Sequence, residues 1–268
     1  MPGGAAGPGV TGPFGTAVPS GIPILKYFPQ FVSDGDMRRY LTELIGTFFL
    51  VLTIGLTIVG GSAFAPLAIG SVLMVMVYMG GHISGAHYNP AVTLAAVLAG
   101  KMKGRDVAPY MLAQVVGALM AGGAVFVIMG ETFAPTPGPE ASLSAALMVE
   151  FLFSFALALV VLNTATVDET DGNSYFGLAI GFTLAVGIFA GGSVSGGAFN
   201  PAVSIGPAVI DTLNGAGSYS FIWIYVVSPF AGGALAALVS GLQHGTLTAP
   251  APQAEPTPQP PAAGAEAV

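Results

Sequence analysis

The sequence predicts an all-α membrane protein: six transmembrane helices and two half-helices, arranged as an inverted repeat. Three observations carry this reading. The first is composition: 53% of the 268 residues are hydrophobic and only 7% are charged, where soluble domains carry about 25% charged residues. The second is a phrase that occurs twice. Gly81-His82-Ile83-Ser84-Gly85-Ala86-His87-Tyr88-Asn89-Pro90-Ala91-Val92-Thr93 aligns without a gap on Gly192-Ser193-Val194-Ser195-Gly196-Gly197-Ala198-Phe199-Asn200-Pro201-Ala202-Val203-Ser204, with seven of thirteen pairs identical and an offset of 111 residues. The third is the placement of basic charge. Lys26, Arg38 and Arg39 precede the first apolar run, and Lys101, Lys103 and Arg105 follow the first Asn-Pro-Ala segment. Cytoplasmic loops collect Lys and Arg, so both clusters belong inside, separated by an even number of crossings.

Taken in order, residues 1–36 are rich in Gly, Pro and Ala and read as a disordered cytoplasmic tail. The first spanning helix runs from about Arg38 to Gly61, long enough for the ~20 residues a bilayer requires. The second covers about Pro66 to Gly81. The first Asn-Pro-Ala is then followed by about ten apolar residues before Gly100, which rise only ~15 Å, half a membrane. A third helix is expected over Val107 to Met129, an outside loop over Gly130 to Ala141, and a fourth helix over Ser142 to Thr166. Asp168 to Asn173 form a short polar turn. The fifth helix spans about Tyr175 to Ala190, a second half-span follows Asn200 to about Ile210, and the sixth covers about Tyr219 to Gly241. Residues 244–268 are Pro/Ala-rich and read as a second disordered tail. The domain between the tails is 37–243, with repeat halves of about 37–130 and 141–243. Three full spans per half force the second copy to insert upside down, a known way to build a transport site.

The repeated phrase has a physical reading. Proline suits the first turn of a helix, where its missing N–H has no partner to lose. Asn directly before it is among the best N-caps. Asn89-Pro90-Ala91 and Asn200-Pro201-Ala202 therefore each specify a helix start at bilayer depth. Irregular backbone survives there only when buried in protein or lining water. The expectation is that both Asn side chains turn an amide N–H₂ toward a lumen between two half-helix N-termini. Each terminus adds roughly half a positive charge. Such a centre passes neutral molecules and opposes cations and protons. The bland alternative is a pair of buried turns that only cap helices.

Glu43 and Glu150 are acids at matching points of the two halves, opening Glu43-Leu44-Ile45-Gly46-Thr47-Phe48 and Glu150-Phe151-Leu152-Phe153-Ser154-Phe155. An intramembrane carboxylate is functional by default; a proton relay is one reading, although no further charged residue within the spans completes it. His82 and His87 have no Cys, Asp or Glu at ligand spacing, so packing and loop hydrogen bonding are expected, with no metal and no cofactor. Gly117 with Ala121, and Gly232 with Ala236, put small residues four apart, a pattern for close helix packing. Met74, Met76 and Met79 read as lipid- or core-facing. The formal charge of −7 does not suit nucleic-acid binding.

From about Arg38 to Gly241 the chain resembles the aquaporin, or major intrinsic protein, family, on the two Asn-Pro-Ala phrases and their flanks. The resemblance implies a passive channel for water or small uncharged solutes, with no enzymatic step, assembled as a homotetramer in the plasma (inner) membrane with both termini cytoplasmic. It also implies that Glu43 and Glu150 brace the half-helix loops. The family's selectivity-filter positions fall here on Ile69, Ile188, Gly197 and Val203. The last departs from the family pattern, in which Arg follows the second Asn-Pro-Ala; Ser204, Ala208 and Tyr225 match the water-channel pattern, while Val226 stands where Trp is usual. An apolar, charge-free filter is either wider, admitting ammonia, urea, glycerol, peroxide or CO₂, or a dewetted constriction. Rival classes are a channel-fold protein with a structural or adhesive role and little conduction, and a proton-coupled transporter lacking its relay.

Overall fold

A computed structural model describes residues 34–215 and 218–245. The expectations for the two tails fall, for residues 1–33 and 246–268, outside the described residues. A compact unit begins at Arg38. The α-helices of the described residues are α1 (Asp34–Val59), α2 (Ala65–Ser84), α3 (Pro90–Leu98), α4 (Val107–Met129), α5 (Leu143–Ala165), α6 (Phe176–Ser195), α7 (Pro201–Leu213) and α8 (Ile224–Gln243). Among the described residues, six of these (α1, α2, α4, α5, α6 and α8) are long and apolar enough to cross a membrane. α3 and α7 have nine and thirteen residues, rising about 14 and 20 Å. Neither reaches across a hydrocarbon core of about 30 Å.

Several helix ends differ from expectation, among them the start of α1 at Asp34, inside the stretch 1–36 read as a disordered tail. α2 and α6 run on through Gly80-Gly81 and Gly191-Gly192 to Ser84 and Ser195, beyond the expected ends near Gly81 and Ala190. Those glycines make room for neighbours: a Cβ at Gly80 would meet the Tyr88 hydroxyl, and one at Gly191 the Val149 side chain. The stops come instead at Gly85 and Gly196, left-handed C-caps with φ of 87° and 90°, a conformation glycine adopts freely. α8 begins at Ile224 rather than near Tyr219, after a 3₁₀ turn at Ser218–Phe221.

Close backbone approach holds the bundle together. α2 crosses α6 at Gly70 and Gly181, where a Cβ on either residue would fall on the carbonyl of the other. Gly117 of α4 lies against the Leu44 carbonyl of α1, and Gly232 of α8 against the Phe151 carbonyl of α5, the same contact in each half. The half-helices change sides. α3 packs chiefly on α8 and α7 on α4, through Gly233 beneath the Ala91 carbonyl and Gly206 against Ala118. Each half therefore completes the other. Large apolar side chains such as Val75, Leu112, Val127, Phe182, Val186 and Phe189 remain exposed on the outside, the surface a bilayer covers. Met79 joins them, while Met76 packs against the core.

Gly181→Ala is expected to push α2 and α6 apart, because its Cβ would meet the Gly70 carbonyl and sit 2.6 Å from the Met74 Cβ. Overpacking of this kind costs about 1–3 kcal/mol, read as a lowered thermal midpoint in detergent. Val186→Ala, on the exposed face of the same helix, should change it by less than about 0.5 kcal/mol.

Candidate functional site

Two irregular stretches, residues 85–89 and 196–200, meet near the middle of the bundle, and each is bound by a buried carboxylate. Glu43 Oε1 accepts from the Ser84 hydroxyl (2.7 Å) and the His87 N–H (3.0 Å). Its Oε2 accepts from the Tyr88 N–H (2.7 Å) and Gln114 Nε2 (2.8 Å). Glu150 repeats the pattern: Oε1 accepts from the Ser195 hydroxyl (2.7 Å) and Ala198 N–H (3.0 Å), and Oε2 from the Phe199 N–H (2.7 Å). Both glutamates are 0% exposed. The serines also work twice, since the Ala86 N–H donates to Ser84 Oγ and the Gly197 N–H to Ser195 Oγ. Tyr110 and Tyr225 donate their hydroxyls to the Ser84 and Ser195 carbonyls.

This support holds unusual backbone. Ala86, Tyr88 and Phe199 sit at φ of 52°, 48° and 48°, in the left-handed region that costs an L-residue about 1–2 kcal/mol. The Tyr88 ring fills the space left by Gly46 and Gly80, with its hydroxyl on the Met76 carbonyl. Phe199 packs on Phe153 at 5.3 Å between ring centroids.

Asn89 and Asn200 cap their half-helices as the sequence implies: Asn89 Oδ1 accepts from the Ala91 N–H at 2.8 Å and Asn200 Oδ1 from the Ala202 N–H at 2.9 Å. Their amide nitrogens reveal a feature the sequence reading lacked. Asn89 Nδ2 donates to the Phe199 carbonyl and Asn200 Nδ2 to the Tyr88 carbonyl, both at 2.9 Å. The two loops are cross-tied, so one N–H of each amide is committed to the opposite loop. The Tyr88 and Phe199 carbonyls are thereby taken. Pro90, Ala91, Pro201 and Ala202 form the buried first turns behind the caps.

Both asparagines line a cavity of about 270 Å³. Ile69 from α2, Ile188 from α6, Gly197 from the second loop and Val203 from α7 line the same cavity. So do residues 133–136, so the connection expected to lie outside folds into the mouth, tied there by the Gly138 N–H to the Val194 carbonyl at 3.0 Å. No Asp, Glu, Lys or Arg is among its lining residues. A second cavity, about 380 Å³, opens beside Val77, Gly81, His82 and the α5–α6 connection. His87 Nδ1 lies 3.1 Å from Thr93 Oγ1, which also takes a bond from Gln114 Nε2.

Sequence reading missed Tyr110 and Gln114, and gave Tyr225 no part in holding the loop. The tyrosines had a signal, because each stands seven residues before the packing glycine of its half, Gly117 or Gly232. Gln114 had none: Pro229 occupies the matching place in the second half.

The profile of the major intrinsic protein family matches residues 30–240. Aquaporin NIP1-1 of Zea mays is 38% identical over 211 residues, covering 75% of this chain and 73% of that protein. Glycerol uptake facilitator protein-like 6 of Lactiplantibacillus plantarum is 39% identical over 211 residues, covering 75% of this chain and 95% of its own. Among solved structures, the aquaglyceroporin from Plasmodium falciparum shares the fold with a TM-score of 0.67 at 21% identity, over 76% of this chain and 94% of that one.

The two carboxylates should differ in sensitivity. Glu43→Gln must turn an amide NH₂ toward two donors whichever way it rotates, whereas in Glu150→Gln the amide can face the Phe199 N–H alone. With about 1–3 kcal/mol for each donor left unpaired, Glu43→Gln is expected to lower the thermal midpoint more. Equal losses in the two purified variants would refute this account of the clamp.

Proposed function

The chain belongs to the major intrinsic protein family, and we propose that its cross-tied asparagines form the centre of a passive pore for water and small uncharged solutes. As a member of that family it is a multi-pass membrane channel. The observation that carries the proposed centre is the pairing of Asn89 and Asn200 across two half-helix N-termini, inside a cavity lined by no charged side chain.

The mechanism follows from what each amide has left. With one N–H committed to the opposite loop, the other remains for a permeant in the lumen. A water between the two asparagines accepts from both, so its own hydrogens point outward along the file. Two helix ends of roughly half a positive charge each favour that orientation. A proton hopping along the file meets a water turned the wrong way, and a cation meets positive potential. Neutral molecules pass.

At the outer mouth Ile69, Ile188, Gly197 and Val203 select on size and apolarity, since Val203 neither donates a hydrogen bond nor carries charge. Branched aliphatic walls suit the C–H face of a small polyol such as glycerol, while the loops and asparagines serve its hydroxyls. Two relatives, a glycerol uptake facilitator-like protein and a plant aquaporin, support this range. Glu43 and Glu150 act as braces of the pore loops. Passage involves no chemical step and no cofactor.

Orientation rests on the basic residues. Arg39 pairs with Asp106 at 2.9 Å, so the start of α1 and the start of α4, with Lys101, Lys103 and Arg105 just before it, share one face. The bias of Lys and Arg toward the cytoplasm makes that face the inner one, with both termini inside. By family resemblance the assembly is a homotetramer in the plasma (inner) membrane, the channel domain being 37–243.

Stopped-flow light scattering on proteoliposomes tests the reading. Wild type should raise osmotic water permeability well above empty vesicles. Asn200→Leu removes the lumen donor, the Ala202 cap and the tie to Tyr88, so its water flux should fall sharply and its stability by about 1–3 kcal/mol. Osmotic permeability unchanged in folded Asn200→Leu would sink the central-site assignment. In sealed cells, external protease should leave the N-terminal tail intact; cleavage there would reverse the orientation.

A further inference from the structure

The lumen carries its own repeat. The 111-residue offset that maps Asn89 onto Asn200 also maps the outer quartet onto four other residues: Ile69 onto Ile180, Val77 onto Ile188, Ala86 onto Gly197 and Val92 onto Val203. Val77, Ala86, Val92 and Ile180 are all at most 4% exposed. Their position is informative. Ala86 and Val92 line the cavity that holds the asparagines, Val77 lines the cavity at the opposite mouth, and Ile180 lines both. The four thus surround the place where the two cavities approach one another. The outer quartet, by contrast, lies wholly within one open cavity.

We propose that Val77, Ala86, Val92 and Ile180 form a second apolar ring, on the far side of the asparagine pair, and that this inner ring is the tighter determinant of solute size. The proposal rests on the reading of this lumen as a conducting pore. Its physical basis is that constrictions in series are limited by the narrower one. A ring of aliphatic side chains offers nothing to replace the hydration a solute sheds there. Side-chain volume does not separate the rings, since Ala86 for Gly197 adds one carbon and Val77 for Ile188 removes one; what sets the inner ring apart is its place between the two cavities.

Paired water and glycerol permeabilities in proteoliposomes, normalised to the amount of folded protein incorporated, test the ring. Val77→Ala and Ile180→Ala should each raise the glycerol-to-water ratio by about threefold or more, with Ile188→Ala raising it less. Should the truncations fail to fold, Val77→Ile narrows the same point with a volume change of one methylene and is expected to lower the ratio. A ratio that rises as much in Ile188→Ala as in the inner variants, or that ignores residue 77 in both directions, overturns the inner ring while leaving a conducting channel. A wild type that moves neither water nor glycerol overturns the channel reading itself, and the ring with it.

Discussion

Irregular backbone at the centre of a bilayer must find every hydrogen-bond partner inside the protein, and the rest of this structure is arranged to meet that demand twice. In residues 86–88 and 197–199 each N–H is partnered, one on a serine hydroxyl and two on a carboxylate. The carbonyls at the two joints, Tyr88 and Phe199, are taken by the asparagine of the other loop. With the donors used up, acceptors are all that these stretches can still offer a permeant. At the middle the asparagines supply donors. On the proposed reading, a donor centre with acceptor flanks orients a file of water without any charged side chain. The left-handed residues Ala86, Tyr88 and Phe199 persist because the clamp over-determines them.

The cross-tie also explains why the halves cannot be separate units. α3 leans on α8 and α7 on α4, so each pore loop is braced by its own half and packed by the other. Symmetry then breaks at one spot. In the first half Gln114 links Glu43 to Thr93, and Thr93 meets His87. In the second, Pro229 and Ala198 replace the glutamine and histidine, and the Ser204 hydroxyl turns back to its own helix at the Pro201 carbonyl. The extra polar network of the first half is thereby buried behind its pore loop, and of Gln114, Thr93 and His87 only His87 reaches the cavity.

How legible all this is in the sequence depends on whether a residue comes in duplicate. The Asn-Pro-Ala phrases, the two glutamates and the small-residue pairs announce themselves because each occurs at matching points of two halves. Among these, the packing of Gly117 and Gly232 beneath helix carbonyls is what a four-residue spacing of small side chains implies. Gln114 is single, so nothing in the chain distinguishes it from a tolerated polar residue in an apolar helix. The ends of α2 and α6 escape a sequence reading for a different reason. Glycine signals a stop in isolation, and only the neighbours that press on Gly80 and Gly191 show it to be a packing requirement. The folding of residues 133–136 into the mouth has no local signal, because it depends on the end of α6, some sixty residues away in the chain.

The absence of charge at residue 203 raises the question of what excludes ions, and magnitudes decide it. Two helix ends of about half a charge each, some 5 Å from an ion at an effective dielectric near 20, together oppose a cation by about 3 kcal/mol. That barrier acts from either mouth, because Val92 and Val203 put the same uncharged side chain at matching points on its two sides. Stripping water from an ion costs several kcal/mol even after the protein relaxes, and aliphatic walls return little of it. On the proposed reading, dehydration opposes ions of either sign, and the helix ends add discrimination against cations. Neutral solutes escape both penalties so long as their polar groups reach the loops and the asparagines. A charged filter residue is thus one way to reject ions, and a lumen too apolar to solvate them is another.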